Sequence, residues 1–226
     1  MRTTLRAPEP LVLVGPGGFG RETAELVRAV NAAGASPRWN LLGFLDDDPA
    51  GWGTTVSGSR VLGGLDALAE LPAARVVVCT GHPGNFRSKQ RIVARLGLPP
   101  ERYATLMHPA AVVPPSCRLG EGTVVLAGAV ATTDVDIGAH VGVMPHAVLT
   151  HDDRVEDFVT VAAGVRLAGT VHVREGAYLG AGCLVREDRT IGPWALVGMG
   201  AVVTRDVPGG EVWAGVPARF VRRVEG

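Results

Sequence analysis

The chain has 226 residues, 46% of them hydrophobic, with 31 glycines and 16 prolines, which suits two modest domains rich in tight turns and excludes disorder. Its 22 basic and 22 acidic residues balance to zero formal charge, so no global field favours nucleic acid or an acidic membrane. No run of about 18 apolar residues is present to span a bilayer.

The N-terminus carries Arg2 and Arg6 without an apolar stretch before a cleavage site, and is not read as a signal peptide. Cys79, Cys117 and Cys183 are scattered and odd in number. They read as reduced packing residues of a cytoplasmic protein. Leu11 to Val14 is a short apolar run, as in a buried parallel strand. Gly15-Pro16-Gly17-Gly18-Phe19-Gly20 follows, and Arg21 to Ala33 carries Ala24, Val27 and Val30 at helical spacing. Asn40 to Leu45 is a second strand, ending at Asp46-Asp47. Val61 and Leu62 precede a short helix, Leu65 to Leu71. Arg75 to Cys79 is a third strand, ending at Thr80-Gly81. Asn85 to Leu96 is a helix stopped by Gly97 and Pro99. Strand–helix alternation predicts a parallel sheet, so residues 1–107 are expected to form a Rossmann-like α/β domain.

Gly15, Gly17 and Gly20 satisfy G-x-G-x-x-G between a strand and a helix, the context in which backbone N–H groups bind a phosphate. Asp46 ends the next strand, where a carboxylate accepts from a ribose or base, and Gly81 ends the third at the same sheet edge. Only half a dinucleotide fold is present, so a nucleotide or nucleotide-sugar fits better than a dehydrogenase cofactor. The same glycines would also serve a plain tight turn.

His108-Pro109 is the hinge into a different pattern, residues 108–226. Every sixth residue from Val113 to Val203 is apolar, sixteen positions without a slip, and only Ala131 is not a large aliphatic. Two residues before each, the side chain is usually small. Neither helix nor strand has this period. It is a hexapeptide repeat, read as a parallel β-helix of 18-residue coils, each rising about 4.8 Å. Beyond it, Pro208 to Arg219 leads to a short basic tail, open to a helical reading.

Among enzymes this scaffold most often serves acyl transfer, which needs a base and an oxyanion donor. His151 stands two places after the inward Leu149 and points away from the core. Asp152 and Asp153 follow, and a carboxylate orients an imidazole. One coil on, the register lands on Gly169, whose N–H can face an oxyanion beside the imidazole. A lone surface histidine is the alternative. A zinc site of His146 and His151, as in carbonic anhydrases on this β-helix, would need a third histidine where Ala110 stands. No metal is expected.

The whole chain resembles the NeuD/PglD-like sugar acetyltransferases. The resemblance rests on Gly15 to Glu22, Gly43-Phe44-Leu45-Asp46-Asp47, His108-Pro109, Thr150-His151-Asp152, Leu167-Ala168-Gly169 and Ala214-Gly215-Val216-Pro217-Ala218. It implies a cytoplasmic homotrimer with a nucleotide-sugar-binding Rossmann-like domain and a left-handed β-helix that takes acetyl-CoA. It implies His151 as general base, Asp152 as its supporting carboxylate and Gly169 as donor to the thioester oxygen. It implies nucleotide-sugar contacts at Gly17, Gly18, Phe19, Asp46, Asp47 and Gly81, and a pantetheine groove at Ala181 and Met199. The active site would lie between subunits. Three positions depart from the family. Thr160 replaces a histidine at the thioester end of the cofactor, Met144 an asparagine near the acceptor amine, and Phe19 a glycine-loop histidine. The expected reaction is acetyl transfer from acetyl-CoA to an amine or hydroxyl of a nucleotide-linked or free sugar. The alternatives are a non-catalytic nucleotide-sugar-binding trimer or scaffold, a non-sugar acceptor, and a longer acyl donor.

Overall fold

The structure, a computed structural model, describes residues 7–224. Arg2 and Arg6, on which the reading of the N-terminus turns, lie outside the described residues.

The six-residue spacing governs the larger part. Two-residue strands recur from Arg118–Leu119 to Val202–Val203. Through Leu184–Val185, each pairs in parallel with the strand 18 residues on, as Asp136 with Arg154, Gly142 with Thr160 and Leu184 with Val202. Three faces result, each named here by a central residue. The Arg154 and Val148 faces have five strands each. The Thr160 face has eight, from Leu106–Met107 to the C-terminal hairpin. They close into the expected left-handed parallel β-helix. The aliphatic ladder fills it: from Val125 to Val203 no inward residue is more than 3% exposed. Each such Val, Leu or Ile stabilises the coil by roughly 1.5–3 kcal/mol. Several corners carry non-glycine residues at positive φ, among them His140 (56°), Asp152 (61°) and Trp194 (56°).

The N-terminal part alternates as expected. Strands β1 (Glu9–Val14), β2 (Trp39–Leu45), β3 (Thr55–Val56), β4 (Ser59–Gly63) and β5 (Arg75–Val78) form one sheet in the order β3-β4-β2-β1-β5, parallel except for β3. Alternate residues of β1 face opposite ways. Leu11 and Leu13 pack with Ala24 and Val27 of helix α1 (Gly18–Ala33). Val12 and Val14 share a second cluster, against which Ile92 and Leu96 of helix α2 (Ser88–Leu96) pack. Helix α1 starts at Gly18, ahead of the expected Arg21. Helix α2 starts only at Ser88, because Asn85–Arg87 are turns, and stops at Gly97 with φ 55°. Leu65–Glu70 is a 3-10 helix.

The basic tail is a strand and not a helix. Arg219–Arg223 runs antiparallel to Glu211–Ala214, itself paired with Leu196–Val197. The last coil leaves an open sheet edge, and a returning hairpin satisfies its backbone groups.

The Thr160 face is where the two parts meet. A Cβ at Gly142 would lie 3.2 Å from the Phe19 ring, so glycine lets α1 approach the coil. Phe86 packs on Tyr178 and Trp194, with ring centroids 6.0 and 6.3 Å apart. Lys89, the chain's sole lysine, is buried here. Its Nζ donates to the His140 carbonyl at 2.9 Å and sits 5.5 Å from the Phe19 ring centroid. Burial pulls its pKa down to about 8, opposed by Cys79.

Candidate active site

Two regions hold the residues singled out from the sequence. The first is a cavity of about 700 Å³ at the C-terminal ends of β1, β2 and β5, a size that suits a small organic ligand. The glycine loop makes its floor. Gly20 is needed for packing, since a Cβ there would meet the Gly15 carbonyl oxygen at 1.9 Å. At Gly17 and Gly18 a Cβ would meet nothing within 4 Å, so these two open onto the cavity. Gly17 caps α1 with no side-chain bond. The first turn of α1 therefore offers backbone N–H groups and the positive end of the helix dipole.

Asp46 and Asp47 both line the cavity but differ in freedom. Asp47 accepts from the Leu65 N–H through one oxygen (3.0 Å) and pairs with Arg95 through the other. Asp46 accepts from the Asp48 N–H through Oδ1 alone (2.8 Å), which leaves Oδ2 to a ligand. Phe19, Gly81 and Met144 also line the cavity. Met144 comes from the corner that joins the Thr160 and Val148 faces.

Several other lining residues were given no binding role from the sequence, among them Glu22, Thr80 and His82. The Thr80 hydroxyl is buried with no partner among the described residues. Among the described residues no arginine or lysine lines the cavity. Three carboxylates do, and His82 is the one lining side chain able to carry positive charge. Its Nδ1 accepts from the Gly84 N–H at 3.0 Å. Nε2 therefore holds the proton and faces out as a donor. A Gly-His-Pro-Gly stretch at a strand end was the available signal.

The second region is the corner joining the Val148 and Arg154 faces. His151 Nδ1 lies 2.9 Å from Asp152 Oδ2. A carboxylate only accepts, so Nδ1 donates and Nε2 keeps its lone pair. Gly169 lies one coil on, and the 18-residue register brings it under the ring. A Cβ at Gly169 would lie 2.3 Å from His151 Cε1 and 2.4 Å from Nε2. Any other residue would displace the imidazole. Among the described residues nothing accepts from the Gly169 N–H. A base with a free lone pair thus stands beside an unpaired donor, the two groups that addition to a thioester carbonyl requires.

The structure does not bring the remaining residues to this corner within one chain. Ala181 and Met199 lie on the corner between the Thr160 and Val148 faces, and Met199 is 77% exposed. Thr160, expected beside the cofactor's thioester end, is buried on the Thr160 face, where a Cβ at Gly81 would come 3.5 Å from its hydroxyl. His146 is at the Met144 corner, across the Val148 face from His151. No group of three or more His, Cys, Asp or Glu among the described residues is placed to hold a metal ion. Burial pushes the Cys79 and Cys183 thiols up to about 12, which makes them packing residues.

Residues 10–96 match the family model of the PglD N-terminal domain. Over 217 residues the chain is 29% identical to GDP-perosamine N-acetyltransferase of Escherichia coli O157:H7, covering 93% of this chain and 96% of that one. A mutant of perosamine N-acetyltransferase from Caulobacter crescentus, solved in complex with CoA and GDP-perosamine, is 32% identical. It superposes with a TM-score of 0.83 over 95% of this chain and 98% of its own. The acetyltransferase domain of PglB from Neisseria gonorrhoeae FA1090, in complex with acetyl coenzyme A, gives 0.82 at 28% identity, over 95% and 100%. With its β-helix, its glycine-loop domain and its His151 corner, the chain belongs to the PglD-like family of sugar acetyltransferases.

Proposed function

We propose that the protein transfers an acetyl group from acetyl-CoA to an amine or hydroxyl of a nucleotide-linked sugar. The observation that carries this is His151 Nε2 over the unpaired Gly169 N–H, with Asp152 on the other ring nitrogen. The acceptor attacks the thioester carbonyl as Nε2 takes its proton. The oxyanion forms on the Gly169 N–H. The tetrahedral intermediate collapses, and the imidazolium returns the proton to the departing CoA sulfur. Relatives solved with CoA, acetyl coenzyme A and GDP-perosamine support both ligands.

The nucleotide-sugar occupies the cavity. The diphosphate lies on the α1 N-terminus by Gly17 and Gly18, with Asp46 on the ribose or base side and His82 donating at the other end. The order β2-β1-β5 supports that direction. The sugar then points at the coil, towards Met144, Thr160 and Gly81.

His151 does not line the cavity of its own chain. A second copy resolves this. The outward row of the Val148 face is Val130, Val148, Arg166, Leu184 and Val202, apolar but for one residue, while the Arg154 face presents Arg118, Asp136, Arg154, His172 and Thr190. An apolar face bordered by the His151 corner on one side and by Met144, Ala181 and Met199 on the other fits a homotrimer interface. The base of one copy then meets the cavity of the next, and the pantetheine arm runs past Ala181 and Met199. No helix among the described residues is long and apolar enough to cross a membrane. Three free cysteines fit the cytoplasm.

The test is thioester consumption with a panel of nucleotide-linked amino sugars. At least one should be acetylated, and His151→Ala should cut kcat by at least about a hundredfold. Transfer that survives this change within about threefold would sink the role of His151.

A further inference from the structure

The inter-coil ladder has one break, and it lies at the base. From Gly120 to Arg186, every sixth residue donates its N–H to the carbonyl seventeen residues later, as Gly138 to Val155 and Ala168 to Val185. Thr150 is the exception. Its N–H goes instead to Asp153 Oδ2 at 2.8 Å, and the Leu167 carbonyl takes the Thr150 hydroxyl at 3.1 Å. The strand pairing records the same gap. Neighbouring coils pair through two residues, but Val148–Leu149 and Arg166–Leu167 pair only through Val148 and Arg166.

Asp153 causes the break. It stands two residues before the inward Val155, where the repeat elsewhere carries mostly Ala, Cys, Thr or Val. Its column neighbours one coil either way are Val135 and Val171. It is 1% exposed. Its second oxygen accepts from the Val171 N–H at 2.8 Å. One carboxylate therefore grips the residue just before His151 and the residue two after Gly169.

We propose that Asp153 is a positioning residue for the acyl-transfer site: it takes the Thr150 N–H out of the ladder and ties the rung of His151 to the rung of Gly169. This rests on the acyltransferase reading above. A regular ladder would suit the coil and leave the spacing of base and oxyanion donor to the sheet. The carboxylate sets that spacing by its own width. Asp152 holds the ring from outside and Asp153 holds the backbone from beneath.

The test compares Asp153→Val and Asp153→Asn with the wild type. Valine fills the two neighbouring positions of this column. With it, the Thr150 N–H can return to Leu167, and the Val171 N–H can turn back three residues, as that of Ala177 does to Arg174. The valine variant should melt at or above the wild-type temperature, with kcat per folded molecule about tenfold lower and KM values within about twofold. A structural role alone would lower the melting temperature and spare kcat, and that result would overturn the proposal. If the valine variant fails to fold, Asp153→Asn decides. It keeps the shape but offers one acceptor oxygen, and it should lose kcat by about threefold or more with its melting temperature held. An unchanged kcat would overturn the proposal here too. An activity-free readout separates the clamp from the reaction. In the wild type, the Thr150 and Val171 amide signals should shift together in one pH titration, and in the asparagine variant they should not. If the wild type transfers no acetyl group, the acyltransferase reading falls, while the amide titration still judges the clamp. Amides that titrate independently would overturn it.

Discussion

The cavity and the His151 corner differ in what each lacks. The cavity has walls, an uncapped helix N-terminus and the buried, unpartnered Thr80 hydroxyl, so it is built to hold a ligand. The corner has a base, a supporting carboxylate and an unpaired N–H but no walls: the His151 and Asp152 side chains are 60% and 61% exposed. Binding needs enclosure, and proton transfer needs a placed lone pair. One chain supplies both, on opposite sides of the Val148 face. The proposed function therefore assigns the reaction to an assembly of copies, in which each half can be damaged while the other is left working.

The largest effect should come from the corner. His151→Ala should cut kcat by at least about a hundredfold while nucleotide-sugar binding, measured by calorimetry, stays within about twofold. Loss of binding in that variant would place His151 in the cavity and erase the division. Gly169→Ala should cost nearly as much, about a hundredfold in kcat, because its Cβ would sit 2.4 Å from Nε2. A crystal structure of that variant with the ring unmoved and the rate intact would contradict the oxyanion assignment. Damage to the cavity should read out in KM. Asp46→Ala should raise nucleotide-sugar KM by about tenfold and leave kcat within about twofold, as expected for removal of a uniform binding contact. His82→Ala should act in the same sense but more weakly, by about threefold to tenfold. The nucleoside without its phosphates should bind the variant as well as it binds the wild type.

The smallest effect concerns stability and pH. Burial pushes the Asp153 carboxyl up to about 7, with Asp152 adding to the rise and the two backbone N–H groups and His151 opposing it. The folded pKa exceeds the ordinary value of 3.8, so the fold favours the protonated form. The stability this contributes is present below the ordinary pKa and is lost as pH rises through about 7. The melting-temperature advantage of Asp153→Val should therefore be greater at pH 8 than at pH 5. An advantage that shrinks over that range would show the carboxylate to be favoured by its surroundings.

Much of this was legible because the six-residue period is a geometric rule. Once the register is set by Val113 to Val203, Gly169 must lie one rung from His151, and it does. The glycine loop was legible for a similar reason, since a strand–glycine–helix order fixes which N–H groups face outward. What escaped depends on contacts that no local period encodes. Thr160 and His140 sit in the same uninterrupted frame as His151, yet both are buried because the N-terminal domain docks on their face. His140 is closed in by Tyr103 and Phe158, and burial takes its pKa down to about 4. Asp153 escaped because an aspartate beside another aspartate reads as surface, although its repeat position points it inward. The tail escaped because the open edge that captures it exists only after the coils have stacked.

The division of the site between copies is the central claim, and mixed assembly tests it most directly. Gly17→Trp puts an indole into the cavity at a position where a Cβ would meet nothing within 4 Å, and leaves the base intact. His151→Ala removes the base and leaves the cavity intact. Each variant alone should be inactive. Unfolded together and refolded as mixed trimers, they should recover about a quarter of the wild-type rate, the chance that a sound base faces a sound cavity across a random interface. A mixture no more active than its parents would mean that base and cavity serve the same copy, and the shared site would be wrong.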